Sequence, residues 1–245
     1  MRLSKAWIVA AKDFRIFMQK KSIIYSIAGF ELFISIGLPL IIKYANTRKN
    51  GFPVSVLPGL INSFSFWFVI GAAMLPMSMA SYSLIGEKIQ KSLEPLLASP
   101  ITDDEILAGK AFSAFIPAIA TNFIGALIFM LLVDKITYNK LTYLYFPNWN
   151  IAVTLLLLAP LVSVLSIGVN VLISSRFNDI RATQQMGALI LLPLGGIYVL
   201  SEMRVISLSV SNLLIMAAVL TVVDIAVFSL VKTTFQREEI LTRWK

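Results

Sequence analysis

Six apolar stretches separated by polar segments constrain the fold of this chain more than any other feature. Five of them reach the ~20 residues that a helix needs to cross the hydrocarbon core of a bilayer, and the fifth in order is shorter. Inside a bilayer every backbone polar group must be bonded within the protein, so such stretches fold as helices. The sequence therefore predicts an all-α membrane protein with six spans, at Ser22–Ile42, Ile61–Ile85, Ala111–Val133, Ile151–Ser174, Met186–Leu200 and Ile206–Val231.

The segment that precedes the first span, Met1–Lys21, is basic and amphipathic. Its pattern predicts a helix that lies in the membrane interface with its apolar face in lipid. The apolar face would hold Trp7, Ala10, Ala11, Phe14, Phe17 and Met18, and another face would hold Lys5, Lys12, Arg15 and Gln19. We expect this helix and the six spans to form one domain over residues 1–245.

The composition agrees with a membrane protein and excludes several kinds of chemistry. The chain is 58% hydrophobic and 14% charged, against about 25% charged residues in soluble domains. It contains no cysteine and no histidine, which excludes disulfides, thiol chemistry, histidine-dependent triads and histidine metal sites. The net charge of +8 does not indicate nucleic-acid binding, because its distribution is better explained by membrane orientation.

Lysine and arginine predict the orientation of the spans. With the N-terminus inside, the inner segments hold 15 of these residues and the outer loops hold 6. The positive-inside rule then places both termini in the cytoplasm, in agreement with an even number of spans. We expect a multi-pass protein of the cytoplasmic (inner) membrane.

The longest polar interruption in the first half of the chain is Gly86–Lys110, here called the coupling segment. Ile89, Leu93, Leu96 and Leu97 follow helical spacing and make one apolar stripe. Ser99-Pro100 then ends that helix, because the residue before a proline is pushed out of the α region. Thr102 as N-cap and Glu105 at N3 predict a capping box at the start of the next helix. A helix followed by so sharply defined a stop indicates a surface that a partner holds.

The coupling segment resembles the signature of type-2 ABC transporter permeases, the ABC-2 family. The resemblance is carried by Gly86-Glu87-Lys88, by Ser92-Leu93-Glu94-Pro95-Leu96-Leu97-Ala98-Ser99-Pro100, and by Glu105-Ile106-Leu107-Ala108-Gly109-Lys110. In that family this loop between the second and third spans is a cytoplasmic coupling helix that lies in a groove of a separate ATPase. The N-terminal segment is similar to the family's connecting helix. A helix lying on the lipid surface is the alternative that the pattern alone leaves open.

The resemblance implies a set of residues that contact ABC ATPase subunits. Leu93, Leu96 and Leu97 would fill the groove, and Glu87, Glu94 and Glu105 would set the register. The full expected set is Gly86, Glu87, Lys88, Leu93, Glu94, Leu96, Leu97, Pro100, Glu105, Gly109 and Lys110.

The chain has neither a G-x-x-x-x-G-K-[ST] nor a G-x-G-x-x-G phosphate-binding pattern. We therefore expect no cofactor on this chain, and expect ATP and Mg on the partner ATPase. The resemblance further implies a homodimer or pseudo-dimer of permeases in the lipid bilayer, acting as an ATP-driven exporter of a hydrophobic or amphiphilic substrate or ion.

Polar residues within the spans are candidates for the translocation path. A charge near the middle of a membrane costs roughly 2.5–3.5 kcal/mol or more, so an intramembrane carboxylate is a functional candidate by default. Polar amides between spans also serve as links between helices. The candidates are Glu31, Asn62, Asn122, Asn170 and Asp224.

Two other classes of function stay open. One is an intramembrane enzyme, which the absence of histidine and cysteine disfavours, although Glu31 and Asp224 could meet in space. The other is a membrane scaffold or regulator that contacts an ABC ATPase without transport.

Overall fold

The computed structural model describes residues 3–47, 53–89, 101–177 and 179–234 of the chain. In this part of the chain the secondary structure is helical and includes no β-strand. A first helix, α1, covers Leu3–Gln19. Six further helices are long and apolar enough to cross a membrane, which confirms the predicted number of spans. They are α2 Ile24–Asn46, α3 Leu57–Glu87, α4 Asp103–Leu141, α5 Trp149–Ser175, α6 Ile180–Glu202 and α7 Val210–Thr234.

Helix α3 is the centre of the protein. In the most apolar stretch of α3, 82% of the residues are buried, whereas 17% are buried in the corresponding stretch of α6 and 22% in that of α7. Helices α4 and α5 pack on α3, α1 packs on α4, and α7 packs on α5. Ser163 and Ser166 of α5 donate hydrogen bonds to the carbonyls of Ala72 (2.8 Å) and Ala73 (2.6 Å) of α3. Small polar residues of this kind let two membrane helices approach closely and link them.

Several helices extend beyond the predicted spans by more than a turn. The helix of the third span begins at Asp103, directly after the predicted N-cap Thr102, and continues beyond Val133 to Leu141. Its extension is tolerated because a polar group near its C-terminal end has partners: Asp134 accepts hydrogen bonds from the backbone N–H groups of Tyr145 (2.9 Å) and Phe146 (3.1 Å).

The predicted inner loop Ser175–Gln185 is also shorter than expected. Helix α6 already begins at Ile180, where the Asp179 side chain accepts a hydrogen bond from the Arg181 backbone N–H (2.9 Å) and caps the helix. The fifth span therefore reaches full length. The helix of the second span also begins earlier than the predicted span, at Leu57 rather than at Ile61.

Helix α1 faces the protein on one side and is open on the other. Ala6, Val9, Ala10, Asp13 and Phe17 are buried, and Phe17 belongs to a cluster with Ile106 and Ala114 of α4. This corrects the expectation that Ala10 and Phe17 face lipid. Trp7, Phe14 and Met18 are exposed, as an interfacial helix requires. The position of α1 in the membrane interface stays a prediction.

Candidate functional site

The two ends of the coupling segment are held close together by helices. Glu87 lies near the end of the helix Trp67–Ile89, whose last turn also contains Lys88. Lys110 lies two turns into α4. The middle of the segment is outside the described residues, and the predicted contact residues Leu93, Glu94, Leu96, Leu97 and Pro100 fall there.

A polar cluster joins these ends to α1; it is named the inner polar cluster after the predicted orientation and comprises Lys12, Asp13, Ser83, Glu87 and Lys110. The Lys110 Nζ lies 2.6 Å from Glu87 Oε2 and 3.5 Å from Asp13 Oδ2. The Lys12 Nζ lies 2.7 Å from Glu87 Oε1. Glu87 therefore receives one cation from α1 and one from α4.

Ser83, one helical turn before Glu87, completes the inner polar cluster. Its hydroxyl donates a hydrogen bond to Asp13 Oδ2. Lys110 donates to the Ser83 carbonyl (3.0 Å) and to the Ser83 hydroxyl (3.1 Å). One serine thus bridges the buried carboxylate of α1 and the buried ammonium of α4.

The charges of the inner polar cluster balance, with two cations and two anions. The side chains of Asp13, Glu87 and Lys110 are each at most 4% exposed, while that of Lys12 is 44% exposed. Buried charges persist only when they are paired and hydrogen-bonded, and removal of one partner of a buried pair costs several kcal/mol. The cluster therefore resists separation of α1, α3 and α4 on this side of the protein.

Three residues of the predicted ATPase-contact set, Glu87, Gly109 and Lys110, lie where α1 packs against α3 and α4. Glu87 and Lys110 are buried in the inner polar cluster. A Cβ at Gly109 would lie 2.6 Å from the Ala6 carbonyl oxygen and 2.7 Å from Val9 Cβ. Gly109 thus permits close packing of α1 on α4. Gly86 is likewise buried. Contact of the coupling segment with an ATPase stays a prediction.

The capping box predicted for the start of α4 is confirmed. The Glu105 backbone N–H donates to Thr102 Oγ1 (3.3 Å), and the Glu105 carboxylate accepts from the Thr102 backbone N–H (3.1 Å). Glu105 is buried. Its carboxylate stabilises the first turn of α4 by this hydrogen bond, and its negative charge lies near the positive end of the helix dipole.

Sequence reasoning missed Asp13 and Ser83, and placed Lys12 only on a polar helix face. One signal was available, because Asp13 is the only acidic residue among the first thirty. An isolated carboxylate in a basic amphipathic segment indicates a specific cationic partner. The partner itself, Lys110, is 97 positions away, and no local pattern identifies it.

Glu31 is buried between α2, α3 and α4. A Cβ at Gly125 would collide with Glu31 Oε2 and would also lie near Phe68. Neither carboxylate oxygen has a hydrogen-bond partner among the described residues. A membrane carboxylate without a partner is costly, so Glu31 stays a candidate for function.

Two of the three candidate amides link helices, and the third links α3 to the connection between α4 and α5. Asn122 donates to the Phe68 carbonyl (2.9 Å). Asn170 accepts from the Ser81 hydroxyl (3.0 Å) and packs against Gly187 of α6. Asn62 accepts from the Tyr145 hydroxyl (2.8 Å), and burial raises the pKa of Tyr145 to about 12. Their part in a translocation path stays a prediction.

Asp224 is 9% exposed, and its carboxylate oxygens also lack hydrogen-bond partners in the described part of the chain. It lines a groove formed by α4, α5 and α7. Glu31 instead borders Gly125 of α4 and does not line this groove, so the two carboxylates occupy different places in the protomer. Among the described residues no group of three or more acidic side chains is arranged to hold a metal ion.

The sequence matches a known protein family. The family model described as ABC-2 family transporter protein matches residues 7–206 of the chain. No curated protein matches it. The matched range begins within α1 at Trp7, contains the inner polar cluster and the whole coupling segment, and ends in the turn before α7.

Proposed function

Because the chain belongs to the ABC-2 family of transporter proteins, we propose that it is the transmembrane permease subunit of an ATP-driven transporter whose ATP is bound by a separate ABC ATPase. The family and the six apolar helices make it a multi-pass membrane protein. ATP and Mg would be held by the partner. Two permease copies would form the path across the membrane.

The inner polar cluster is the observation that best supports mechanical coupling. It ties both ends of the coupling segment to α1 through buried charges. A displacement applied to the segment would therefore move α1, α3 and α4 together. The apolar stripe of Leu93, Leu96 and Leu97 supplies the surface that an ATPase groove would hold.

The direction of transport and the class of substrate are finer parts of the proposal. The resemblance favours export of a hydrophobic or amphiphilic substrate or an ion, by alternating access between two permeases. The excess of lysine and arginine in the inner segments favours cytoplasmic termini in an inner membrane. That orientation places the coupling segment on the side where ATP is available.

Co-purification tests the proposal directly. The chain is co-expressed with the ABC ATPase encoded beside it and purified through a tag on the permease. We expect stoichiometric ATPase with the wild-type chain. The double variant Leu93→Asp, Leu96→Asp should lose it, because two charges in an apolar groove are left unsolvated and unpaired.

A matched control keeps the same change in net charge away from the apolar stripe. The variant Lys91→Gln, Ala98→Asp also makes the segment more negative by two charges, and it should retain the ATPase. Loss of the ATPase in both variants would point to general electrostatics rather than groove contact. If no ATPase co-purifies with well-folded wild-type protein, the proposed coupling to an ATPase is wrong, and the enzyme and scaffold alternatives remain.

A second measurement separates transport from a scaffold role. Glu31→Gln replaces an intramembrane carboxyl group that lies outside the coupling segment. For a transporter we expect the ATPase to co-purify normally while ATP-dependent transport in reconstituted vesicles falls. For a scaffold the variant would leave the function of the complex unchanged.

A further inference from the structure

A lateral groove lies between α4, α5 and α7, apart from the inner polar cluster. Its volume is about 440 Å³, within the ~300–1,000 Å³ typical of small-molecule sites. The walls are almost entirely apolar and include Phe112, Phe115, Ile167, Val227 and Phe228. Phe112 and Phe228 are also partly exposed at the outside of the protein, so the groove is open toward the surrounding lipid.

The groove has two polar points at different depths. Asp104 and Lys232 form an exposed pair, 4.0 Å apart, at the end nearest the start of α4. Asp224 lies eight residues earlier in α7 than Lys232, which is about 12 Å along the helix. The groove therefore begins at a charged rim and extends into the apolar region as far as a single carboxylate.

Asp224 is the feature that indicates a ligand. It is 9% exposed, it lines the groove, and both of its oxygens lack a hydrogen-bond partner among the described residues. An ionised carboxylate only accepts hydrogen bonds, and its strongest partners are cationic N–H groups. Apolar walls around one such acceptor fit a molecule with an apolar body and one ammonium group.

We propose that this groove is a binding site for a lipophilic amine that enters from the bilayer. The ammonium pairs with Asp224, and the apolar body lies between Phe112 and Phe115 of α4 and Val227 and Phe228 of α7. The concave shape and the charge at its inner end favour a small cation over a helix of a second copy. The site needs neither ATP nor the ATPase, so it stands independently of the transport function.

Photolabelling tests the site. The full-length protein is reconstituted in vesicles of neutral phosphatidylcholine with dodecylamine that carries a diazirine on its chain, and labelled peptides are identified by mass spectrometry. We expect saturable labelling within residues 107–115 and 224–232, competed by dodecylamine but not by dodecanol. Asp224→Asn should weaken the affinity about tenfold or more, because a charge-assisted hydrogen bond is lost.

Two further variants keep the test independent of folding. Ala111→Trp fills the groove from α4 and should abolish labelling while Asp224 is retained. Asp179→Asn removes a carboxylate at the inner surface, with the same change in charge, and should label like the wild type.

Three results would overturn the proposal. These are labelling that does not saturate, equal competition by dodecanol and dodecylamine, and an affinity unchanged by Asp224→Asn. A change in oligomeric state on Asp224→Asn, without any saturable labelling of the wild type, would assign the groove to a second copy of the chain instead.

Discussion

At the scale of single residues, Lys110 is a buried cation whose burial depends on two ion pairs. It is 2% exposed, and its ammonium lies within 3.5 Å of two buried carboxylates from two other helices. The remaining cation of the cluster, Lys12, is half exposed and reaches only Glu87. The stability of this region therefore depends far more on Lys110 than on Lys12.

Lys110→Met should lower the free energy of unfolding by about 3–5 kcal/mol, because Asp13 and Glu87 remain buried without their shared cation. Glu87→Gln should cost less, since Lys110 keeps Asp13 and Ser83. Thermal unfolding in one detergent checks both.

Lys232→Met is the matched control: Lys232 is half exposed and 4.0 Å from Asp104, so its loss should cost at most about 1 kcal/mol. An equal loss of unfolding free energy in Lys110→Met and Lys232→Met would contradict the burial of Lys110.

At the scale of helices, the packing of α1 on α4 depends on the absence of a side chain at one position. The backbone of α1 comes so close at Gly109 that a Cβ would meet Ala6 and Val9 at 2.6–2.7 Å. Lys110, the next residue, reaches Asp13 of the same helix. Close backbone approach and ion pairing therefore support each other at this contact.

Gly109→Ala should destabilise the protein by about 1–3 kcal/mol, because the added methyl pushes against the backbone of α1 and cannot be relieved by a side-chain rotation. Gly195→Ala in α6 is the control. A Cβ there meets nothing within 4 Å, and alanine is about 0.5–1 kcal/mol better than glycine within a helix. Unfolding midpoints in the same detergent should therefore shift in opposite directions. An unchanged midpoint for Gly109→Ala would argue against the close contact.

The helices differ in how far the sequence could predict them. The start of α4 was readable, since Thr102 and Glu105 are three residues apart and the capping box is local. The inner polar cluster was not, because Asp13 bonds a serine 70 residues away and Lys12 a glutamate 75 residues away. The C-terminal end of α4 was not readable either, because hydropathy marks the apolar part of a helix, whereas the helix continues to Leu141 with the help of partners such as those of Asp134.

At the scale of the whole molecule, the chain's lack of cysteine allows the predicted orientation to be tested with single cysteines. Tyr143→Cys lies in the exposed connection between α4 and α5, and Asp179→Cys lies between α5 and α6. In intact cells a membrane-impermeant maleimide should label Tyr143→Cys, and should label Asp179→Cys only after permeabilisation. The reverse pattern would show that the positive-inside rule misorients this protein.

The length of α4 has a mechanical consequence. Its 39 residues make a rod of about 58 Å, nearly twice the ~30 Å hydrocarbon core, and Pro117 lies inside it. Proline removes one helical hydrogen bond and is the usual place where a helix bends. The helix is therefore two arms joined at Pro117, one of about 21 Å towards Asp103 and one of about 36 Å towards Leu141. A bend at the proline would let the arm that carries Lys110 move with α1 while the longer arm, which runs to the opposite side of the molecule, keeps its own packing.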